Sequence, residues 1–107
     1  MKSSIRITSA ACRDLQEIYD WISENDSFEK AGSILDRLWE AAESVAELPS
    51  RGSRPKELPP GMESEYRQVF FKPYRVIYEV KRGEVVIHLI ADGRRNLSSL
   101  LLRRLIG

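Results

Sequence analysis

The stretch EYRQVFFKPYRVIYEVKRGEVVIHLI, residues 65–90, decides the fold class of this chain. Apolar and polar residues alternate along it with a period of two in three runs, which are separated by KP at 72–73 and KRG at 81–83. Runs of this kind joined by short turns predict three antiparallel strands. The middle strand has two faces, one with Val76, Tyr78 and Val80 and the other with Arg75, Ile77 and Glu79. We expect one of these faces to pack on helices.

Two amphipathic helices are predicted upstream of the strands, separated by a break at 25–26 and ending at Leu48-Pro49. Their apolar residues recur at spacings of three and four: Ala11, Leu15, Ile18 and Ile22 in the first helix, and Phe28, Ala31, Leu35, Leu38, Ala42 and Val45 in the second. Because the loop is so short, the two helices must pack antiparallel. Trp21 and Trp39 lie beside these stripes, and we interpret them as core or hairpin anchors rather than as binding platforms.

The remaining segments complete an α+β fold. Residues 3–8 alternate like a short strand, and residues 94–107 predict a short amphipathic helix. Residues 49–61 hold four of the five prolines and read as an ordered irregular loop. That loop either holds basic residues in a defined place or is simply solvated by them: Arg51, Arg54 and Lys56. The predicted single domain, 1–107, has an N-terminal short strand and an antiparallel helical hairpin packed on a small twisted antiparallel sheet, with a short C-terminal helix.

Composition bounds the function without naming it. The chain has 107 residues, 42% hydrophobic and 31% charged, which is typical of one globular domain. The N-terminal residues lack the apolar run of a signal peptide, and no stretch approaches the roughly 20 apolar residues of a membrane span, so we expect a cytoplasmic protein with no membrane partner. Cys12 is the only cysteine, and neither a second thiol nor a His cluster is present, so we expect no internal disulfide and no metal site. We also predict no cofactor.

Charge is distributed unevenly along the chain. Residues 1–48 hold five Lys/Arg and ten Asp/Glu, a net charge of −5, whereas residues 49–107 hold twelve Lys/Arg and six Asp/Glu, a net charge of +6. Such asymmetry favours a molecule whose basic side faces an acidic partner, although mutual attraction of the two halves would produce the same pattern.

Arginines are the most informative side chains, because no enzyme motif of specific spacing is present. The only imidazole, His88, lies in a predicted strand and is interpreted as structural rather than as a general base. Guanidinium groups bind phosphate and carboxylate through paired hydrogen bonds, so a cluster on one sheet face would bind RNA or an acidic peptide. Scattered surface arginines remain an equal alternative for the four on or beside strands: Arg67, Arg75, Arg94 and Arg95.

Four segments in this order and spacing resemble the RelE/ParE superfamily of toxins: DLQEIYDWI at 14–22, ELPSRGSRPKEL at 47–58, YRVIYEV at 74–80 and VVIHLIADGRR at 85–95. The resemblance covers nearly the whole chain. It implies the toxin half of a bacterial type II toxin-antitoxin module, with a helical hairpin on an antiparallel sheet and a cognate antitoxin that wraps around it.

The superfamily includes ribosome-dependent mRNA endoribonucleases, the RelE type, and inhibitors of DNA gyrase, the ParE type. Arg75 and Arg95 match two arginines of the nuclease set, and Arg67 replaces a lysine. Val69 stands where a second lysine is expected and Leu101 stands where a tyrosine is expected. If the chain were a nuclease, the resemblance would make Arg67, Arg75 and Arg95 its catalytic residues.

Arginines alone cannot cleave RNA, because their pKa is too high for proton exchange at neutral pH. Tyr66, Tyr74 or His88 would have to transfer the protons, and no motif supports any of them. The long hairpin is closer to the ParE type, although Asp92 stands where many ParE-like chains have histidine.

We therefore predict a ParE-like toxin whose partners are DNA gyrase and a cognate antitoxin, which could assemble with it as a hetero-oligomer. The alternatives are a RelE-type nuclease, with the ribosome and mRNA as partners, and a non-toxic binding module for an acidic peptide. Apolar grooves near the hairpin and the sheet edge are expected to accept an amphipathic segment of the antitoxin. The predicted target- or antitoxin-binding residues are Arg67, Arg75, Arg94, Arg95, Arg103 and Arg104, the last four of which are expected to meet acidic residues of the antitoxin.

Overall fold

In a computed structural model of the protein, the described residues are 3–59, 61 and 66–106. The elements are β1 (Ser4–Ile7), α1 (Ser9–Asn25), α2 (Phe28–Glu47), a 3-10 turn (Pro49–Arg51), β2 (Tyr66–Phe71), β3 (Tyr74–Lys81), β4 (Glu84–Asp92) and α3 (Ser98–Ile106). This order confirms the predicted α+β class. Glu65, predicted as the first residue of a strand, and the outermost residues of the predicted domain, 1–2 and 107, lie outside the described residues.

Both hairpin helices begin with a side-chain cap. Thr8 Oγ1 accepts a hydrogen bond from the Ala11 amide at 3.1 Å, and Ser27 Oγ accepts one from the Lys30 amide at 3.0 Å. Each cap satisfies an amide that has no partner within the first turn. In the described part of the chain, no helix has the length and apolar character that crossing a membrane requires.

The sheet is mixed, with strand order β1-β4-β3-β2. β2, β3 and β4 are antiparallel neighbours, as predicted, whereas β1 pairs parallel to β4 from Ser4 opposite Glu84 to Ile7 opposite Ile87. Period-two alternation identifies β1 as a strand but carries no information about its partner, and parallel pairing here requires the long crossover that the remaining elements supply.

A β-bulge at His88 changes which residues of β4 face each side. Ile77 lies opposite Leu89 and Tyr78 lies opposite Ile87, so His88 has no partner in β3. As a result Ile87 and Ile90 face the same side, although they are three residues apart.

Each face of the sheet carries a hydrophobic core. On one face the hairpin packs on Val76, Tyr78 and Val80, together with the inward residues of β2 and β4. On the other face Leu97, just before α3, and Leu101, in the first turn of α3, pack on Ile77, Leu89 and Ala91. The predicted division of β3 into two faces is therefore confirmed, and both faces are covered.

Three aromatic residues of the hairpin correct the sequence prediction. Trp21 is 64% exposed, Trp39 is 44% exposed and Phe28 is 72% exposed, so none of them is a core residue. Trp21 precedes the buried Ile22 and Trp39 follows the buried Leu38. One residue along a helix is a rotation of about 100°, which carries each indole to the margin of the buried stripe.

Candidate functional site

The proline-rich loop is tied to the sheet by hydrogen bonds. The Tyr78 hydroxyl accepts from the Gly52 amide at 3.0 Å and donates to the Pro49 carbonyl at 2.9 Å. Ser53 and Gln68 exchange backbone hydrogen bonds of 2.7 and 3.1 Å. Only glycine fits at Gly52, because a Cβ there would lie 2.5 Å from both the Gln68 carbonyl oxygen and the Tyr78 hydroxyl. The expectation of an ordered loop is confirmed.

Arg75 is buried and paired within the chain. Its Nη1 lies 2.5 Å from Glu57 Oε2 and its Nη2 lies 2.8 Å from Glu57 Oε1, while its Nε donates to Gln68 Oε1 at 2.9 Å. The two charged side chains are only 6% and 9% exposed. The side-chain hydrogen bonds from Arg75 lower the pKa of Glu57, so its carboxylate remains charged at neutral pH. Arg75 therefore joins β3 to the loop and has no free edge for a ligand.

The turn after β4 covers Arg75 and presents two more arginines. Gly93 lies over the Arg75 stem, and a Cβ at this position would come within 2.9 Å of the stem's Cγ and Cδ. Arg94 donates to Asp92 through Nη2 at 2.5 Å, through Nε and through its amide. These bonds lower the pKa of Asp92 from its ordinary 3.8 to about 2. Arg95 is exposed and forms no ion pair with any described residue.

The loop and the turn enclose an open basic cleft of about 560 Å³. Its floor contains Glu57, Gln68 and Arg75, and its walls include Arg54, Lys56, Phe70, Arg94, Arg95 and Asn96. The structure thus brings together three of the predicted site residues, Arg75, Arg94 and Arg95. The sequence prediction did not place Phe70 at the site or join Arg54 and Lys56 to the strand arginines. The signal that could have found them is the basic, proline-rich loop.

The other three predicted arginines lie elsewhere. Arg67 is on the opposite face of the sheet, where its Nη1 donates to the carbonyls of Gly52 at 2.7 Å and Ser50 at 3.4 Å. Arg103 is exposed, without an ion pair to any described residue. Arg104 bonds to Asp14 at 2.6 and 2.8 Å and to the His88 carbonyl at 2.9 Å, and the Asp14 contact raises its pKa further.

The candidate proton-transfer groups are outside the basic cleft. His88 Nε2 lies 2.9 Å from Glu79 Oε1, and its ring packs edge-on against Tyr66 at 5.9 Å. Tyr74 lines a neighbouring groove, and burial together with the charge of Asp92 raises its pKa. No histidine or tyrosine lines the basic cleft within the described residues.

Two further grooves lie outside the basic cleft, one of them apolar and the other mixed in character. The hairpin groove, about 230 Å³, lies between the hairpin and the sheet and is lined by Leu15, Leu35, Trp39 and Val76 among others. The edge groove, about 440 Å³, lies beside the end of β4 and includes Trp21, Ile90 and Leu100 together with five charged residues: Asp14, Glu17, Asp92, Arg94 and Arg95. Among the described residues, no group of three or more His, Cys, Asp or Glu side chains is arranged to hold a metal ion.

Comparison with known proteins identifies the family. Residues 5–97 match the model for the ParE toxin of the type II toxin-antitoxin system parDE. Toxin ParE3 of Caulobacter vibrioides is 31% identical over 88 residues, which is 82% of this chain and 84% of that protein. A structure of the chromosomal ParDE system from P. aeruginosa superposes with a TM-score of 0.71 and 26% identity over 85% of this chain and 96% of that one.

More distant structures share the fold alone. The RelBE2 toxin-antitoxin complex of Mycobacterium tuberculosis gives a TM-score of 0.64 at 21% identity, over 86% of this chain and 92% of that one. A free mutant of the E. coli toxin RelE gives 0.58 at 14% identity, with both chains fully covered. Fold and comparisons together define a toxin of the RelE/ParE superfamily, as the sequence motifs indicated. Within that superfamily, the chain belongs to the ParE toxin family of type II toxin-antitoxin systems.

Proposed function

We propose that this toxin arrests bacterial growth by acting on DNA gyrase in the cytoplasm. Membership of the ParE family is the observation that carries this proposal, and the lining of the basic cleft argues against the nuclease alternative. RNA cleavage needs groups that take and return protons, in addition to cations that stabilise the phosphorane. The described lining of the cleft has cations but no histidine or tyrosine, and its buried arginine is neutralised by Glu57.

The test compares two activities of the purified chain: plasmid supercoiling by gyrase and mRNA cleavage on stalled ribosomes. We expect supercoiling to be inhibited while the mRNA stays intact, and we expect prior addition of the antitoxin to restore supercoiling. Cleavage of mRNA without any effect on supercoiling would replace this proposal with the RelE-type nuclease. Expression without growth arrest, in a host that lacks the antitoxin, would favour a non-toxic binding module.

A cognate antitoxin is the second proposed partner, forming a toxin-antitoxin hetero-oligomer. The P. aeruginosa relative is described as part of a ParDE system, which supports an equivalent partner here. The hairpin groove and the edge groove would accept the apolar side of an amphipathic segment. Arg95 and Arg103 are exposed without an ion pair to any described residue and could meet acidic side chains. Arg94 is exposed but also pairs with Asp92, and Arg104 pairs with Asp14 inside the toxin.

A further inference from the structure

We propose that the basic cleft binds a strand of nucleic acid, with its cations on phosphates and the ring of Phe70 against a base. This inference goes beyond the action on gyrase, because it concerns a ligand that the isolated toxin would bind by itself. It assigns one role to the loop before β2 and the turn after β4, which the fold places on either side of the same opening.

The first support is an excess of cations without partners. Arg54, Lys56 and Arg95 line the cleft and form no ion pair with any described residue. The carboxylate in the cleft, Glu57, accepts hydrogen bonds from Arg75 through both oxygens; its charge also acts on Lys56, but one negative charge leaves the lining with a net positive charge. Three unpaired positive charges around one opening create a positive potential that a phosphodiester backbone can satisfy.

The second support is the position of Phe70. It lies directly opposite Arg75 in the pairing of β2 with β3 and is 57% exposed at the cleft. An aromatic ring left in water beside unpaired cations is typical of surfaces that bind single strands, where bases stack on rings regardless of sequence.

The third support is that the lining of the cleft suits a nucleic-acid strand better than an acidic peptide. Phe70 is the only large apolar side chain among the described residues of the cleft, so an amphipathic segment would find no second anchor there. The apolar surface that such a segment needs lies in the hairpin groove and in the edge groove. The edge groove shares Arg94 and Arg95 with the cleft, but its three carboxylates, Asp14, Glu17 and Asp92, would repel an acidic segment. Binding without cleavage also follows from the lining, because the groups suited to proton transfer are elsewhere.

The experiment measures binding of the purified full-length chain to fluorescent 12-mers of single-stranded DNA and RNA of the same sequence, with polyglutamate as a polyanion without bases. We expect binding of the 12-mers to weaken with salt, with a slope near −2 in log K against log salt, because single strands contribute about −0.7 per neutralised phosphate. Arg54→Gln and Arg95→Gln should each reduce the slope by about 0.7. Phe70→Leu should weaken binding about tenfold at an unchanged slope.

Arg37→Gln is the matched control, because Arg37 is also exposed but lies on α2. Equal losses for Arg37→Gln and Arg95→Gln would overturn the proposal in favour of general surface charge. Polyglutamate binding as tight as the 12-mers, with no effect of Phe70→Leu, would overturn it in favour of an acidic peptide. Binding of the DNA or RNA 12-mer more tightly than polyglutamate would support the proposal, and the tighter of the two 12-mers would show whether the cleft prefers DNA or RNA. Gyrase is absent from this assay, so its outcome is independent of the supercoiling test.

Discussion

At the scale of single residues, Arg75 shows how burial can remove a side chain from function. Its guanidinium donates two hydrogen bonds to Glu57 and another to Gln68, and Gly93 lies over its stem. A buried charge is tolerated only when it is paired and hydrogen-bonded, and here the chain supplies the pairing itself. Arg75 therefore holds the loop against β3, and its unpaired neighbours are the residues that remain able to bind a ligand.

The first prediction tests this tie. Glu57→Gln should destabilise the protein by about 3 kcal/mol, because it leaves the buried Arg75 charge without a counter-ion. Chemical denaturation at pH 7 measures the loss. Glu43→Gln, an exposed substitution of the same type on α2, should change stability by less than about 0.5 kcal/mol.

The pH dependence of this difference has a defined sign. The pKa of Glu57 is lowered below its ordinary value of 4.5 in the folded protein. Stability from the pair is therefore fully present above pH 4.5 and is lost as the pH falls through the lower, folded-state pKa. The difference in the free energy of unfolding between wild type and Glu57→Gln should be constant from pH 5 to 8 and should become smaller below about pH 4. A difference in the free energy of unfolding that grew larger in acid would contradict the ion-pair explanation.

At the scale of elements, the C-terminal helix is connected to the first helix across an open sheet edge. β1 ends at Ile7, opposite Ile87, so β4 continues without a neighbour on that side. Asp14 accepts a hydrogen bond from the Ile90 amide at 3.0 Å, and Arg104 donates to the His88 carbonyl at 2.9 Å. Side chains thus satisfy edge groups that would otherwise be available to another strand.

The second prediction uses adjacent arginines of α3 that differ only in their contacts. Arg104→Met keeps most of the stem but breaks the Asp14 pair, so it should cost about 2 kcal/mol and speed amide hydrogen exchange in α3. Arg103→Met, at an exposed position, is the control and should have little effect on either measurement.

A double-mutant cycle distinguishes pairing from general loss of charge. Asp14→Ala in the Arg104→Met background should cost less than Asp14→Ala alone, because the shared contact is already gone. Additive effects of the two substitutions would show that the pair does not hold the helix.

At the scale of the whole molecule, the uneven charge of the sequence becomes an uneven surface. The hairpin carries most of the acidic residues, and the unpaired basic residues of the cleft lie around the loop and the turn. Long-range attraction between such a surface and acidic partners acts mainly on the rate and salt dependence of association.

The third prediction concerns the antitoxin. Reversing two charges by Arg94→Glu and Arg95→Glu should weaken the complex at least tenfold at low salt and flatten its salt dependence, as measured by calorimetry. Arg13→Glu with Arg37→Glu makes the same change in net charge on the exposed side of the hairpin and should leave affinity nearly unchanged. If the Arg94 and Arg95 reversal changed neither the affinity for the antitoxin nor its salt dependence, the prediction that these two charges contribute to the interface would be wrong.

Local patterns predicted the elements and much of their packing. Alternation in residues 65–90 predicted the three antiparallel strands and the two faces of β3, and the spacing of apolar residues predicted the hairpin. Exposure of Trp21 and Trp39 could not be predicted in the same way, since large apolar side chains at the margin of a helical stripe fit either environment.

The sequence by itself determined the α+β class, the ordered proline-rich loop and the family motifs, because these depend on short-range periodicity, turn chemistry and spacing. Only the tertiary structure decided the parallel partner of β1, the bulge at His88 and which arginines remain available. Arg67, Arg75 and Arg104 have the same chemistry as Arg95, but contacts to Gly52, Glu57 and Asp14 occupy them. Those partners are distant in sequence, so no local pattern distinguishes a structural arginine from one that can bind a ligand.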